Sequence, residues 1–238
     1  MSASESPLIV VVHGAWHGAW CWAKLQSELD SRGLPSLAVD LPGHGASVQP
    51  LGDLHGDAAL INGLLRRLDR PVVLVGHSYG GAVITQAAAG AGNVAHLVYL
   101  TAFVLDEGET VVSLLQSMPP ADTLLSKAMI IGDGVSTIDP ELAHDAFYGR
   151  CDPMATPANI ARLCPQPFAT FSQPAIAAAW KTIPSTYVRC TADEAIHITH
   201  QDLMAARCTN VITLDTDHSP FSSMPVETAE ILARIARG

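Results

Sequence analysis

Val72-Val73-Leu74-Val75-Gly76-His77-Ser78-Tyr79-Gly80-Gly81 is the stretch on which the reading of this chain turns. Four consecutive apolar residues, three of them β-branched, describe a strand buried on both faces, the habit of a parallel sheet. Gly76 and Gly80 flank Ser78 two positions either side, where a sharp strand-to-helix turn leaves no room for Cβ atoms. Gly81 extends the small surface, so a helix from Tyr79 to about Ala89 can pack closely on the sheet. A serine at the tip of such a turn is placed to act as a nucleophile.

Strand and helix patterns alternate on both sides of this stretch. Leu8 to Val12 is a continuous apolar run, and Trp22, Leu25 and Leu29 recur at helical spacing before Gly33, a helix-ending residue. Ser36 to Asp40 reads as a second strand. Leu54, Ala58, Ile61, Leu65 and Leu68 form one stripe of a helix capped by Asp53. Leu97 to Leu100 is a fourth strand. Repeated units of this kind predict a parallel sheet wrapped by helices, with ligands bound beyond the carboxyl ends of the strands.

From about Leu105 to Trp180 the rhythm breaks into a proline-rich stretch. Asp139-Pro140 and Thr156-Pro157 each read as a capping residue before a proline at the first helical position. This predicts a helical cap inserted after the fourth strand. The strand pattern resumes at Thr186 to Val188 and Val211 to Leu214, and an amphipathic helix from about Pro225 closes the chain. The expected organisation is one domain, with core 1–104 and 181–238 and cap about 105–180.

A serine hydroxyl needs a base to take its proton. Among ten histidines, His218 is placed best, just after the last strand and before the final helix. A carboxylate between serine and histidine in chain order, at a strand end, completes the set. Asp193 fits, and its rivals are Glu194, Asp106 and Asp217. Two backbone N–H groups must meet the charge that develops on a carbonyl oxygen. Tyr79 supplies one from the helix start, and Ala15 supplies the other from the glycine-bearing loop His13-Gly14-Ala15-Trp16-His17-Gly18.

His13 with His17, and His197 with His200, have ligand-like spacings but no partner cluster, so no metal or other cofactor is expected. Asp40-Leu41-Pro42-Gly43-His44-Gly45 is a turn expected to shape one wall of the entrance. Trp16, Trp20 and Trp22 are divided between pocket lining and core packing.

The 238 residues are 48% hydrophobic and 15% charged, which gives a substantial core. A net charge of −10 without a basic run excludes nucleic acid as a partner. Residues 1–7 carry no basic stretch followed by a long apolar one, so no secretory leader is expected. Leu8 to Val12 is too short to span a bilayer, so no membrane partner is expected either. Five scattered cysteines (Cys21, Cys151, Cys164, Cys190, Cys208) suggest reduced thiols and a cytoplasmic location.

Taken together, the motif at Ser78, the His13–Gly18 loop and the His218 segment resemble the α/β-hydrolase superfamily. The opening His13-Gly14-Ala15-Trp16-His17-Gly18-Ala19-Trp20 is similar to one branch in particular. That branch holds plant methyl esterases, hydroxynitrile lyases and bacterial esterases, including pyrethroid hydrolases. The resemblance implies a six-stranded core and a small-molecule ester as substrate. Relatives often pair as homodimers, and no stretch of this sequence decides that state. Lyases of the branch carry Thr where Gly14 stands and Lys where Ser219 stands, so the resemblance favours an esterase. Placing Thr at 14 and Lys at 219 is then expected to raise cyanide release. The alternatives are a lyase or other cofactor-free reaction on the same triad, and a ligand receptor that retains the triad.

Overall fold

A computed structural model of the protein describes residues 6–238. The expectation that no leader is present falls largely on residues 1–5, outside the described residues. In chain order the first half runs β1 (Leu8–Val12), α1 (Ala23–Ser31), β2 (Ser36–Val39), α2 (Leu54–Leu65), β3 (Val72–Ser78), α3 (Tyr79–Ala87) and β4 (Val94–Ala102). An insertion follows, with α4 (Val111–Ser117), α5 (Leu124–Ala128), β5 (Met129–Gly132), β6 (Val135–Ile138), α6 (Pro140–Phe147), α7 (Thr156–Ile160), β7 (Gln166–Pro167) and α8 (Ala169–Ser172). The chain closes with β8 (Ser185–Cys190), α9 (Ile198–Ala205), β9 (Asn210–Leu214), α10 (Pro220–Ser223) and α11 (Pro225–Arg237).

The main sheet has strand order β2-β1-β3-β4-β8-β9, and every neighbouring pair is parallel. Parallel pairing with covered faces explains the unbroken apolar runs. Ile9 and Val11 pack with Leu25, Leu29 and Leu232 on one face, while Val10 and Val12 pack with Leu54, Ile61 and Val83 on the other. Each fully buried leucine contributes about 1.5–3 kcal/mol relative to an exposed one. Local signals set the helix ends. Gly33 adopts φ +68° just past α1. The Gly56 N–H donates to Asp53 at 2.8 Å, a cap worth about 1 kcal/mol.

The insertion differs from the helical cap expected. It contains a second, antiparallel sheet of order β5-β6-β7 as well as short helices. Its strands are two to four residues long, too short to show a period of two in the sequence. Asp139 caps α6 as expected, accepting the Glu141 N–H. Thr156 does not cap α7, because its hydroxyl turns back to donate to the Asp152 carbonyl and the residue itself lies inside the helix. The helix α9 was not foreseen. Its buried face is built partly from His200 and Gln201, so no apolar stripe marks it.

Strand order reverses between β1 and β3, since β1 connects outward to β2 and β3 outward to β4. Connections that leave in opposite directions open a crevice at the carboxyl ends of those strands. A cavity of about 470 Å³ lies there, lined by Ala15, Ser78 and Tyr79 from the core and by Val111, Leu125 and Phe171 from the insertion, among others.

Candidate active site

Ser78 ends β3 and precedes α3 with φ +51° and ψ −121°, a conformation that costs about 1–3 kcal/mol for a residue with a side chain. Close backbone packing enforces it. A Cβ on Gly76 would lie 2.5 Å from the Gly80 carbonyl oxygen, and one on Gly80 would lie 2.6 Å from that of Val12. The start of α3 is thus pressed against the end of β1. Ser78 lines the cavity, and its hydroxyl makes no hydrogen bond among the described residues. Bonds of this kind often close only around substrate.

Asp193 follows β8 and His218 follows β9, two parallel strands whose ends lie side by side. The His218 Nδ1–H donates to Asp193 Oδ2 at 2.7 Å, with side chains 2% and 0% exposed. Asp193 Oδ1 accepts the N–H groups of Ala195 and Ile196 at 2.7 and 2.8 Å. Oδ2 also accepts the Thr101 hydroxyl. Four donors hold this buried carboxylate in place.

The rivals are engaged elsewhere. Asp106 pairs with Lys181 at the surface, and this bond holds its carboxyl below the usual carboxylate range. The Glu194 side chain is exposed. Asp217 is buried and turned away from His218. It accepts the Arg150 N–H at 2.9 Å, the Ser219 N–H at 3.0 Å and the Ser223 hydroxyl at 2.7 Å.

The loop after β1 is held peptide by peptide. His13 donates from Nδ1 to the Gly14 carbonyl at 2.8 Å and accepts the Leu41 N–H on Nε2 at 3.1 Å. Fixing the Gly14 carbonyl on one side of a planar peptide turns the Ala15 N–H to the other. His17 donates from Nδ1 to the Ala15 carbonyl at 2.8 Å and takes the Tyr148 hydroxyl on Nε2 at 2.7 Å. Burial pushes His13 down to about 3 and His17 to about 4, so both are neutral, and both ring nitrogens of each are taken by these hydrogen bonds. Among the described residues, neither the Ala15 N–H nor the Tyr79 N–H has a protein acceptor, and both residues line the cavity.

Several supporting residues escaped the sequence. Thr101, at φ +39°, carries a hydroxyl to Asp193 that nothing in the β4 pattern announces. His77 donates from Nε2 to the His218 carbonyl at 2.7 Å, and its ring lies 4.5 Å from the His218 ring. Burial holds His77 well below the usual histidine range. Its place beside Ser78 was the available signal.

Other expectations need correction. The Asp40–Gly45 turn lines no part of the cavity. Asp40 accepts the Ala19 and Ala46 N–H groups at 2.6 and 2.9 Å, folding the turn beneath the loop after β1. Of the three tryptophans, Trp16 lines the cavity and Trp22 packs in the core against Phe221. Position 14 also has no room for the proposed Thr, since a Cβ there would meet His77 Nδ1 at 2.8 Å and Ser78 Cβ at 2.9 Å.

His197 caps α9 through its ring, and His200 donates to the Pro119 carbonyl at 2.8 Å while lining the cavity. No described helix is long and apolar enough to cross a membrane.

Comparisons with known proteins agree with this fold. The alpha/beta hydrolase family profile matches residues 9–231. The chain is 30% identical to the alpha/beta hydrolase nvfD of Aspergillus novofumigatus, with 92% of each chain covered. It is 29% identical to the pFDCC methylesterase MES16 of Arabidopsis thaliana, over 94% of this chain and 92% of that one. It spans 58% of the length of some other Arabidopsis methylesterase relatives. The solved pyrethroid hydrolase of Sphingobium faniae superposes with a TM-score of 0.86 at 25% identity, covering 98% of both chains. The chain belongs to the alpha/beta hydrolase family, in the branch that includes methylesterases and bacterial esterases.

Proposed function

We propose that the protein is a carboxylic ester hydrolase that works through an acyl-enzyme on Ser78. The observation that carries this reading is the buried His218–Asp193 bond at 2.7 Å, at the same end of the sheet as a strained, unengaged serine. Ser78 Oγ attacks the ester carbonyl carbon while His218 Nε2 takes its proton. The N–H groups of Ala15 and Tyr79 donate to the oxyanion. The tetrahedral species collapses as His218 returns the proton to the departing alcohol. Water then attacks the acyl-enzyme with His218 as base, releasing the acid and restoring Ser78. Asp193 holds His218 in the tautomer this cycle needs and stabilises the imidazolium.

The substrate is a small-molecule ester. The cavity lining is mainly apolar and contains no Lys or Arg, which supports an uncharged apolar ester and leaves a departing cyanide without a cation. The five cysteines are unpaired, which supports a reducing, cytoplasmic setting.

The test is turnover of short p-nitrophenyl esters by the wild type and by Ser78→Ala, together with labelling by a fluorophosphonate. The variant should lose about 10⁴-fold or more in kcat, and only Ser78 should be labelled. Full turnover by the variant would sink the assignment. Robust cyanide release from mandelonitrile without ester turnover would replace it with a lyase.

A further inference from the structure

We infer that Gln166, a buried residue of the insertion, is a positioning residue for the oxyanion-binding loop. The inference rests on the esterase reading above. It starts from Trp16, which directly follows Ala15. Trp16 adopts φ +62°, a left-handed conformation that a residue with a bulky side chain holds only when its surroundings require it.

All of those requirements come from the insertion. The Trp16 N–H donates to Gln166 Oε1 at 3.2 Å. The Trp16 carbonyl accepts the Cys164 N–H at 2.9 Å. The indole N–H donates to the Ser136 carbonyl at 3.1 Å and to its hydroxyl at 3.2 Å. The ring packs against Phe147 and Phe171, with centroids 5.9 and 5.8 Å away. Each polar group of Trp16 is therefore satisfied 120 or more residues away, and none by the strand that delivers it.

Among these partners, Gln166 acts on the backbone N–H adjacent to the one proposed to bind the oxyanion. It is completely buried. Its amide is oriented from its other end, because Nε2 donates to the Thr170 hydroxyl at 3.0 Å and that hydroxyl donates to the Pro167 carbonyl at 2.6 Å. The donor direction of the Thr170 hydroxyl fixes which end of the Gln166 amide is oxygen, so Oε1 must face the Trp16 N–H. His44 Nε2 lies 2.8 Å from the same oxygen.

Without that acceptor, the Trp16 N–H is a buried donor with no partner, and the left-handed residue loses one of its restraints. The chain relieves this by rotating the Ala15–Trp16 peptide. Ala15 shares its Cα with that peptide, so the rotation drags its own N–H off the oxyanion. The effect falls on a group that matters in the transition state, so kcat should move more than KM. A misplacement of this size typically costs about 10- to 100-fold.

The experiment compares wild type, Gln166→Glu and Gln166→Met with one p-nitrophenyl ester. It adds the affinity of a boronic acid, which forms a tetrahedral adduct on serine, and of a matching amide, which does not. Gln166→Met should lose about 10- to 100-fold in kcat with KM nearly constant, and boronate affinity should fall in parallel while amide affinity holds. Gln166→Glu keeps an acceptor for the Trp16 N–H and should restore most of kcat. If Gln166→Met does not fold, Thr170→Val carries the test, since it only unties the amide and should give a smaller loss of the same pattern. Wild-type kcat in a folded Gln166→Met or Thr170→Val, or equal losses for amide and boronate, would overturn the inference. Equal losses for the Glu and Met variants would do the same. Absence of any ester turnover or serine labelling in the wild type would instead overturn the esterase reading.

Discussion

The carboxyl ends of the core strands and the insertion between β4 and β8 hold their backbones by different means. At the strand ends the chain is packed atom against atom. A Cβ on Gly76, Gly80 or Gly81 would fall within 2.6 Å of a carbonyl oxygen. In the insertion, Gly132 and Gly134 have nothing within 4 Å of a built Cβ, and Ile130, Ile131 and Met154 are exposed. The contrast separates two tasks. Rigid close approach keeps Ser78 in a strained conformation, while the open β5–β6 hairpin of the insertion can vary its part of the cavity wall without disturbing the nucleophile. The two regions share an apolar cluster and meet at many polar points, Trp16 with Gln166 and Asp217 with Arg150 among them.

Breaking the core side should have the largest effect. Asp193→Asn removes the carboxylate that fixes His218 and should lower kcat by about 10⁴-fold. Asp106→Asn, at the surface beside the insertion, should leave kcat within about twofold. Steady-state kinetics on the two purified variants decides it, and the reverse ranking would move the acid to the end of β4.

Glycine replacements sharpen the same contrast in stability. Gly80→Ala drives a Cβ toward the Val12 and His13 carbonyls and should cost about 3–5 kcal/mol. Gly132→Ala, where there is open space, should stay within about 0.5 kcal/mol of wild type. Chemical denaturation of both would show it, and equal costs would mean that the packing at the elbow is not what holds it.

Acid should act first on the core loops. His13, His17 and His77 are held below the unfolded histidine value by burial. The unfolded chain therefore binds more protons than the folded one once pH drops below about 6.5. Their contribution is complete above that pH and is lost as pH falls toward their folded values. Asp57 opposes this. Burial raises it to about 7, although its Oδ2 accepts the Tyr79 hydroxyl at 2.6 Å. Three lowered sites against one raised leave the unfolded state with more bound protons as pH falls from about 6.5 toward 4. Melting temperature should fall steadily over that window. A flat profile would mean that the histidines protonate without disrupting the folded loops.

The smallest effect is expected where the regions meet. Every partner of Asp217 is a donor: the N–H groups of Arg150 and Ser219, the Cys151 thiol, and the hydroxyls of Ser223 and Thr216. Asp217→Asn must set an NH₂ against one of them, which should cost about 1–3 kcal/mol with far less effect on kcat than Asp193→Asn. A variant as stable as wild type would show that the contact between insertion and His218 loop is dispensable.

Local rules made the elbow, the parallel strands and the chain order Ser78, Asp193, His218 readable before any coordinates. Glycine spacing, unbroken apolar runs and helix ends are short-range consequences of steric and burial requirements. The structure brings Asp193 to His218 as the sequence order implied, and leaves Glu194, Asp106 and Asp217 in other roles. The three-stranded sheet of the insertion was not readable, because strands this short carry no period and their pairing depends on partners up to 32 residues apart. The donors on Asp193 and Asp217 and the grip of Gln166 on Trp16 were equally hidden. The Arg150–Asp217 and Trp16–Gln166 bonds join residues 67 and 150 positions apart, and no sequence period spans such a distance. Which buried polar group finds which partner is settled only when the packed chain leaves each donor one acceptor within reach.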